Sequence, residues 1–523
     1  MTYRFRIYVR KHKPQPVGSY RDRVNESPVS RPPDHPAVTG ARRVLTPSVG
    51  DIVFIVVFAA ALALGFALTH RDGDLPKHLT VGHVILDTRS IPTVDVYSHT
   101  KPDAETVPFE WLSQTAFAAA DRLGGFDGIV LLAAVVIAVP FVIVYRLGIR
   151  NGASVGWTVA LVLLGAAAST IHWAARPHLF SWLFTAIWLS LLEGLRRGRR
   201  HQVWVIVPLT VLWVNFHGGF MVGLVLVAVY MIGALIEQRR SPDSESGQIA
   251  RHLGLVLLAS GAASLINPVG VRMALHPFVH LLGDDFIFGV IREFDSPDFH
   301  NPVIWPFLAM ILISVVLRFR WSATTVQLAV FWTAAGLYSL RFIPFYALVM
   351  VPLMAEAISL RSGSRLRTGA RLQEFAGLER AVVGGTLSVV ILVLAGFTLL
   401  STPGSRFEFS NSVFPIAALQ ALDGQPPGER VFNEFVWGGY LAYCCHPEIP
   451  VFIDGQVDYY GGEITADYVE AIDGGEAWRS VFDRHSIDWV LISPDAALAQ
   501  VLVEADDWAE TYRDETAVIF EPA

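Results

Sequence analysis

The sequence predicts a mainly α-helical, polytopic membrane protein of about eleven spans, with a small α/β domain at its C-terminal end. Three observations predict this fold class. The 523 residues are 53% hydrophobic and only 17% charged, which is too apolar for an ordinary soluble protein. Eleven apolar runs follow one another between residues 52 and 400. After residue 400 the chain becomes acidic, and short β-type runs alternate with helical stretches.

Residues 1–50 are expected to form a disordered cytoplasmic tail, because they are rich in Pro, Ser and Arg and poor in aliphatic side chains. Their ten basic residues against three acidic ones suit an anionic inner membrane surface. The first apolar run lies far from the N-terminus and is followed by no small-residue cleavage site, so we expect an anchor and not a cleaved signal.

Residues 51–400 are expected to form the membrane domain. A spanning helix needs about 20 apolar residues, and most of the runs approach that length. They are Ile52–Thr69, Ile129–Tyr145, Ser154–Ile171, Leu179–Leu192, Val203–Val214, Phe220–Ile236, Leu253–Ile266, Val303–Leu317, Val326–Leu340, Ile343–Ala357 and Ala381–Leu400.

The distribution of basic residues predicts the orientation of these spans. If the N-terminus is cytoplasmic and the spans alternate, 26 of the 40 Lys and Arg residues lie inside, as the positive-inside rule expects. The protein is then a multi-pass protein of the cytoplasmic membrane in the cell envelope. Two outer loops, 71–128 and 267–302, are long, and Glu110–Leu123 has the spacing of an amphipathic helix at the membrane surface.

Residues 401–523 carry 22 acidic residues against 5 Arg, and the odd number of spans places them outside the cell. Alternating elements favour a small α/β domain with a mostly parallel sheet. The expected strands are Glu429–Asn433, Val451–Asp454, Trp489–Ile492 and Ala517–Glu521, and the expected helices are Gly438–Cys444, Ile464–Ile472, Ala477–His485 and Ala496–Ala505. Cys444 and Cys445 are adjacent, and a disulfide between them is not expected.

The first outer loop carries the candidate catalytic carboxylates. Asp72 and Asp74 are separated by one glycine just beyond a span, and Glu110 lies where the chain returns to the membrane. Such carboxylates could ligate a divalent metal, or one of them could accept a proton from an attacking hydroxyl. A solvated turn is the alternative interpretation of the short Asp-Gly-Asp motif. His78 follows in the same loop.

The other outer turns carry Arg176 and His178, then Asn215 and His217, and finally Arg341. Arginine at the membrane boundary is costly unless paired, and its planar group is well shaped to hold a phosphate. The alternatives are an arginine that extends to lipid headgroups and a tight hairpin capped by its Asn and His. Taken together, the turns predict an anionic group held beside a general base.

These residues also carry a resemblance to a known family. The motifs resemble those of a broad, mostly uncharacterised group of bacterial polytopic proteins, which is similar to the glycosyltransferase C superfamily of protein O-mannosyltransferases and oligosaccharyltransferase catalytic subunits. The group usually has Trp at the positions held here by Pro76 and Lys77. The motifs are Asp72-Gly73-Asp74-Leu75 with His78, Ile91-Pro92-Thr93 with Asp95 and Tyr97-Ser98, Glu110-Trp111-Leu112, Arg176-Pro177-His178-Leu179-Phe180-Ser181, Asn215 with His217-Gly218-Gly219, Asn267-Pro268 with Gly270, Ser296-Pro297-Asp298-Phe299, Trp437-Gly438-Gly439-Tyr440 and Phe452-Ile453-Asp454-Gly455.

The resemblance implies an integral membrane glycosyltransferase that moves a sugar from a polyprenyl-phosphate carrier to an acceptor at the outer face. Asp74 or Asp72 would deprotonate the acceptor or hold a divalent cation, and Glu110 would help to position that group. The carrier phosphate would be bound by the substrate-binding set His78, Arg176, His178, Asn215, His217 and Arg341. The expected partners are a lipid-linked sugar donor and membrane lipids, with no nucleic acid, while protein partners and the metal stay open.

The main alternative is a non-catalytic transporter or assembly factor for lipids or polysaccharides that uses the same site. Transporters tend to carry ionisable residues near the middle of the membrane and to show repeated halves. The apolar runs here are nearly free of charge and no repeat is visible, which favours the enzyme. A purely structural member of the group is the third possibility, based on Pro76 and Lys77.

Overall fold

The computed structural model describes residues 41–71, 73–240, 244–275, 292–317, 321–362, 370–401, 404 and 406–523. Residues 1–40 of the expected N-terminal tail and Asp72 lie outside these residues, so nothing is said of their structure. The end of the expected tail is described and is helical at Ala41–Leu45, so the expectation of disorder does not hold there. The described residues are 69% helical, with a small C-terminal sheet. This confirms the mainly α class and the sheet after residue 400.

Fifteen labelled helices lie before residue 401 among the described residues. They are α1 Ala41–Leu45, α2 Val49–Ala63, α3 Gly65–His70, α4 Asp74–Thr88, α5 Trp111–Arg150, α6 Val155–Ser169, α7 His178–Arg196, α8 Ile206–Phe216, α9 Phe220–Arg240, α10 Ser244–Ala263, α11 Trp305–Leu317, α12 Ala323–Tyr338, α13 Ile343–Ser362, α14 Ala370–Ala381 and α15 Thr386–Leu400.

Every predicted apolar run falls mainly on one or two of these helices. By length and composition, five helical segments of the described chain could cross a membrane: α5, α6 with the turn up to His172, α7, α9 and Leu340–Arg361. A sixth is possible if α14 and α15, bent by 68°, form one span. Helix α2 and Pro302–Leu317 are apolar but shorter. The count of eleven spans therefore stays a prediction.

Aromatic side chains form much of the helical core. The Trp213 ring stacks on Phe184 with 5.4 Å between centroids and meets Trp188 edge-on at 5.1 Å. A Cβ atom at Gly223 would lie within 2.6 Å of both tryptophans. Glycine thus lets α9 approach the indole rings closely, as small residues do between membrane helices.

Helix α5 has two parts that meet at a kink. Its first part, starting at Trp111, confirms the helix predicted over Glu110–Leu123, while lying along a membrane surface stays a prediction. Gly125 has φ of 57° and ψ of −150°, a conformation open mainly to glycine. The kink redirects the chain from the outer-loop helix, which packs on α4, into the long apolar span.

The C-terminal part holds helices α16 Ile416–Ala421, α17 Gly438–Cys444, α18 Val457–Ile472, α19 Trp478–His485 and α20 Ala497–Val503, and strands β1 Val431–Asn433, β2 Trp489–Ile492, β3 Trp508–Arg513 and β4 Val518–Pro522. The sheet order is β1-β2-β4-β3. Strands β1 and β2 pair in parallel, whereas β4 pairs antiparallel with both of its neighbours. The prediction of a mostly parallel sheet was wrong, because β3 and β4 form an antiparallel hairpin at one edge.

The predicted strand at Val451–Asp454 is also wrong. The backbone of Val451 instead pairs with the first outer loop: its N–H donates to the Tyr97 carbonyl at 2.9 Å, and its carbonyl accepts from the His99 N–H at 3.0 Å. This stretch has β-type side chains because it is buried, not because it joins the sheet. It connects the C-terminal part to the loop that carries the candidate carboxylates.

The expectation about the two cysteines was wrong as well. The sulfur atoms of Cys444 and Cys445 are bonded to each other. Helix α17 ends at Cys444, and Cys445 leaves the helical conformation with φ of −133° and ψ of 9°. The two adjacent side chains can therefore turn toward one another.

Candidate active site

A network of alternating charges joins four of the outer segments. The guanidinium of Arg176 contacts the carboxylate of Asp74, the first residue of α4, and its Nη1 lies 2.5 Å from Oε1 of Glu293. Nε of Arg341 donates to Oε2 of the same Glu293 at 3.0 Å. The predicted meeting of a first-loop carboxylate with arginines from distant turns is therefore present in the structure.

The backbone around these arginines fixes their positions. The N–H of Ala175 donates to the carbonyl of Leu68 at 2.7 Å, which ties the turn before α7 to the helix preceding the first loop. Ser339 Oγ donates to the Glu293 carbonyl at 2.9 Å, beside Arg341. The turns that carry Arg176 and Arg341 are thus each hydrogen-bonded to a neighbouring segment.

Glu293 is held as a carboxylate. Burial favours its protonated form, but the guanidinium groups of Arg176 and Arg341 outweigh that effect and hold the pKa of Glu293 well below its usual range. The Arg341 guanidinium also lies over the Phe294 ring, 4.5 Å from its centroid. Two arginines and one anion therefore form a compact, mostly desolvated cluster.

Glu110 lies between two histidines. Its Oε2 is 3.6 Å from Nδ1 of His78, and its Oε1 is 3.6 Å from Nε2 of His217. Nδ1 of His217 accepts the N–H of Gly219 at 3.0 Å and lies 2.8 Å from Ser181 Oγ. The ring proton of neutral His217 is therefore on Nε2, which faces Glu110.

Both histidines are neutral at neutral pH. Burial, followed by the positive charge of Arg176 and Lys77, lowers the pKa of His78 to about 3. Burial, followed by the charges of Arg341 and Arg176, lowers the pKa of His217 to about 3. These two side chains can offer hydrogen bonds to a ligand, whereas the positive charge of the site comes from the arginines.

Two other residues predicted to bind the substrate, His178 and Asn215, form hydrogen bonds within the protein instead. Nε2 of His178 lies 2.8 Å from the carbonyl oxygen of His172 in the preceding turn. The side-chain oxygen of Asn215 accepts from Trp111 Nε1 at 2.8 Å, and its nitrogen donates to the Ile266 carbonyl at 2.9 Å. Asn215 thus joins three outer segments, and both residues position the site.

Tight glycine contacts bring the C-terminal part against the start of α4. A Cβ atom at Gly455 would lie 1.8 Å from Oδ1 of Asp74, and one at Gly439 would lie 2.3 Å from the Gly73 carbonyl oxygen. A Cβ atom at Gly73 would in turn lie 1.9 Å from the carbonyl oxygen of Val436. Glycine is needed at Gly439 because backbone approaches backbone there, and at Gly455 because the Asp74 side chain lies where a Cβ atom would be.

Pro76 and Lys77 stand where the group that the motifs resemble usually has Trp. Each of them fits its surroundings in this structure. Lys77 forms an ion pair with Asp454, whose side chain is fully buried. Pro76 lies in the first turn of α4, where a backbone N–H would have no acceptor within the helix. The sequence analysis did not select Glu293 as a site residue, although it lies in a loop marked as long, and it gave Asp454 and Gly455 as members of a motif without a role.

Among the residues that the structure describes, no group of three His, Cys, Asp or Glu side chains is placed to hold a metal ion. The carboxylate of Asp74 faces a guanidinium, and Asp72 lies outside the described residues. The described donor set does not fit a divalent cation, and we derive no chemical step through one.

The contact between Gly455 and Asp74 makes a first prediction. A methyl group at Gly455→Ala cannot fit beside Asp74 without displacing it, so we expect transfer activity to fall by about 10²-fold, the order of loss that follows misplacement of a reacting group by about 1 Å. Overpacking should also cost about 1–3 kcal/mol of stability. Gly156→Ala is the matched control, since no atom lies within 4 Å of its added Cβ. Equal activity in the two variants would contradict this role.

The burial of His78 makes a second prediction, about pH. Its pKa falls from an ordinary 6.5 to about 3 on folding, so between these values the unfolded chain binds a proton that the folded chain does not. Stability therefore decreases as the pH falls through this window. The melting temperature of His78→Gln should fall less than that of the parent between about pH 7 and pH 5. His300→Gln, which changes a 99% exposed side chain, should match the parent, and an unchanged pH dependence in His78→Gln would contradict the prediction.

Comparisons with known proteins agree with this architecture. No family model matches the chain, and no curated protein matches it significantly. Among solved structures, it is similar to the archaeal oligosaccharyltransferase AglB from Archaeoglobus fulgidus in complex with an inhibitory peptide and a dolichol-phosphate (TM-score 0.55, 12% identity, 84% of this chain and 69% of that one). It is also similar to ArnT from Cupriavidus metallidurans in the apo state (TM-score 0.50, 12% identity, 90% of this chain and 97% of that one).

At these identities the similarity is one of fold. It extends over most of the chain, and it includes both the helical part and the C-terminal part. The chain therefore shares the fold of an oligosaccharyltransferase and of ArnT, in agreement with the architecture that the resemblance implied.

Proposed function

We propose that the protein is an integral membrane glycosyltransferase that takes a sugar from a polyprenyl-phosphate carrier. One observation carries the proposal: the guanidinium groups of Arg176 and Arg341, from separate outer turns, converge on a single anion beside Asp74. A pair of arginines is well suited to a phosphate. The fold similarity to an oligosaccharyltransferase seen with a dolichol-phosphate supports the same ligand class.

In the proposed reaction Asp74 accepts the proton of the acceptor, and the two arginines hold the carrier phosphate. The acceptor hydroxyl gives its proton to Asp74, and its oxygen forms a bond to the anomeric carbon of the sugar. The bond between that carbon and the phosphate oxygen breaks, and the carrier phosphate leaves with the electron pair. Arg176 and Arg341 stabilise the charge that develops on the phosphate, which is the contribution that usually dominates catalysis.

Glu293 marks the position of the anion. Its two carboxylate oxygens contact one arginine each, as two oxygens of a phosphate group could. A carrier phosphate that enters the site would compete with Glu293 for these contacts. The Glu293 carboxylate and the phosphate are both anions with paired oxygens. The positive charges of the two arginines are therefore balanced before and after the exchange.

Glu110 and His217 form the second part of the proposed site. The Nε2–H of His217 faces Glu110, and the ring is fixed on its other side by Gly219 and Ser181. On its other side Glu110 contacts His78, which lies on the helix that begins at Asp74. We propose that Glu110 positions the acceptor or the base.

We further propose that transfer occurs at the outer face of the cytoplasmic membrane, with residues 401–523 outside the cell. The distribution of 26 basic residues to one side and 14 to the other supports this orientation. A reporter enzyme that works only outside the cytoplasm, fused after Ala523, should be active. A cytoplasmic reporter that is active at the same position would contradict the orientation.

The activity is tested with the purified full chain in lipid nanodiscs, supplied with lipid-linked sugars and with candidate acceptors. The expected result is release of free polyprenyl phosphate that requires an acceptor. Movement of the intact carrier between the leaflets of vesicles, without release of its phosphate, would instead support the transporter. If neither phosphate release nor carrier movement is seen with any bacterial donor, both functions are overturned.

A further inference from the structure

A second basic site lies at the other end of the helical part. Arg150, Arg197, Arg199 and Arg380 line a cavity of about 370 Å³. Helix α7 starts at His178 beside the candidate active site and has 19 residues, so it is about 28 Å long. Its far end carries this cavity, at a separation close to the hydrocarbon thickness of about 30 Å.

The four arginines come from three separate parts of the chain. Arg150 is the last residue of α5, Arg197 and Arg199 lie in the turn after α7, and Arg380 lies in the last turn of α14. A basic stretch at a helix end would satisfy the positive-inside rule on its own. The convergence of three such ends around one cavity is an additional feature that this rule does not explain.

Two neighbouring arginines have carboxylate partners within the protein. Nη1 of Arg146 lies 3.1 Å from Oε1 of Glu379, and Nη1 of Arg196 lies 3.1 Å from Oε1 of Glu193. The buried carboxylates at this end of the helices are therefore already paired. Little negative charge is left for the cavity itself.

The cavity arginines are poorly compensated by comparison. Among the side chains that the structure describes, none accepts a hydrogen bond from or forms an ion pair with Arg150 or Arg199. Arg197 donates to the Arg150 carbonyl at 2.6 Å and lies 4.0 Å from Glu356, while Nε of Arg380 donates to a backbone carbonyl of its own helix at 3.0 Å. Like charges this close repel one another unless an anion is present.

We propose that this cavity binds the phosphate group of an anionic membrane lipid in the leaflet at this face. Several guanidinium groups around one cavity can hold phosphate oxygens in pairs. The volume fits a lipid headgroup, since small-ligand sites measure roughly 300–1,000 Å³. The cavity lies at the ends of apolar helices, so the acyl chains could stay against the helices. Basic pockets between membrane helices bind lipid headgroups in this manner.

The experiment uses the purified full chain in phosphatidylcholine nanodiscs that contain increasing amounts of phosphatidylglycerol. Native mass spectrometry counts the phosphatidylglycerol molecules that remain bound. Each arginine near an anionic lipid contributes about fivefold in affinity, so Arg150→Gln with Arg199→Gln should weaken retention by roughly 25-fold. Arg239→Gln with Arg240→Gln, which removes two exposed charges from the same end of the helices, should change it by less than about fivefold.

Equal retention in the cavity variant and the control variant would overturn the proposal. Arg199→Gln alone, at an exposed turn, guards against a folding defect and should weaken retention by about fivefold. Competition with inorganic phosphate then identifies the source of the ligand. Displacement at millimolar phosphate indicates a free phosphate in the same site, whereas resistance to it indicates the lipid.

Discussion

Asp74→Asn should lower the rate of glycosyl transfer by about 10²–10⁴-fold, the usual contribution of a general base, and leave folding and membrane insertion intact. Asparagine keeps the size of the side chain and an oxygen that can accept from Arg176. It removes the charge that takes the proton of the acceptor. The release of polyprenyl phosphate measures the rate, and the melting temperature of the purified protein measures the fold.

Asp72→Asn is the matched control, because it removes an equal charge on the other side of Gly73. We expect it to keep most of the activity. Full activity in the double variant would exclude the acidic loop as the source of the base. Glu110, which lies between His78 and His217, would then be the next residue to replace.

Arg176→Gln should lower the rate by about 10²–10³-fold, the order of loss seen when a donor to a developing anion is removed. Arg176 contacts both Asp74 and Glu293, so the variant loses a phosphate ligand and also leaves two carboxylates close together. Removing one partner of a buried pair costs about 3–5 kcal/mol. The side chain of Arg176 is 17% exposed, which reduces that cost.

Two further variants separate the catalytic loss from the structural one. Arg176→Gln with Glu293→Gln removes one of the two carboxylates that Arg176→Gln leaves close together, and it should recover part of the stability without recovering activity. Arg272→Gln, at an exposed ion pair with Glu105 on the same side, should leave both properties unchanged. Recovery of the rate in the double variant would show that Arg176 acts only on the fold.

Much of the helical architecture was predictable, because apolar runs and capping residues are local features. Helix α17 and strand β2 begin and end at the residues predicted for them. Strand β3, Trp508–Arg513, was missed since its side chains are mostly exposed and it lacks a buried alternation. The stretch at Val451 was taken for a strand because burial against the first outer loop produces the same β-type composition.

The site was predictable in part. The position of polar residues at one end of the spans predicted that the first-loop carboxylates and the Arg and His residues of the outer turns face the same compartment. Their partners could not be identified, since Glu293 is 117 residues from Arg176 and Asp454 is 377 residues from Lys77. Only the fold brings such pairs together. The sequence did contain one indication of Glu293: two arginines in the outer turns need a negatively charged partner, and Glu293 lies in the long loop between them.

The sequence also could not show the charge state of the histidines. His78 and His217 were expected to help bind the carrier phosphate, and burial beside positively charged side chains lowers the pKa of both, so that they are neutral at neutral pH. The glycine motifs of the C-terminal part were recognisable as motifs. Their role became visible only when Gly455 was found against Asp74.

A structure of the purified protein with a polyprenyl phosphate tests the central proposal most directly. We expect the phosphate to lie between Arg176 and Arg341, with the carboxylate of Glu293 displaced from at least one of them and Asp74 beside the open side of the phosphate. A phosphate bound elsewhere, with the Arg176–Glu293–Arg341 cluster unchanged, would contradict the assignment of these arginines to the carrier.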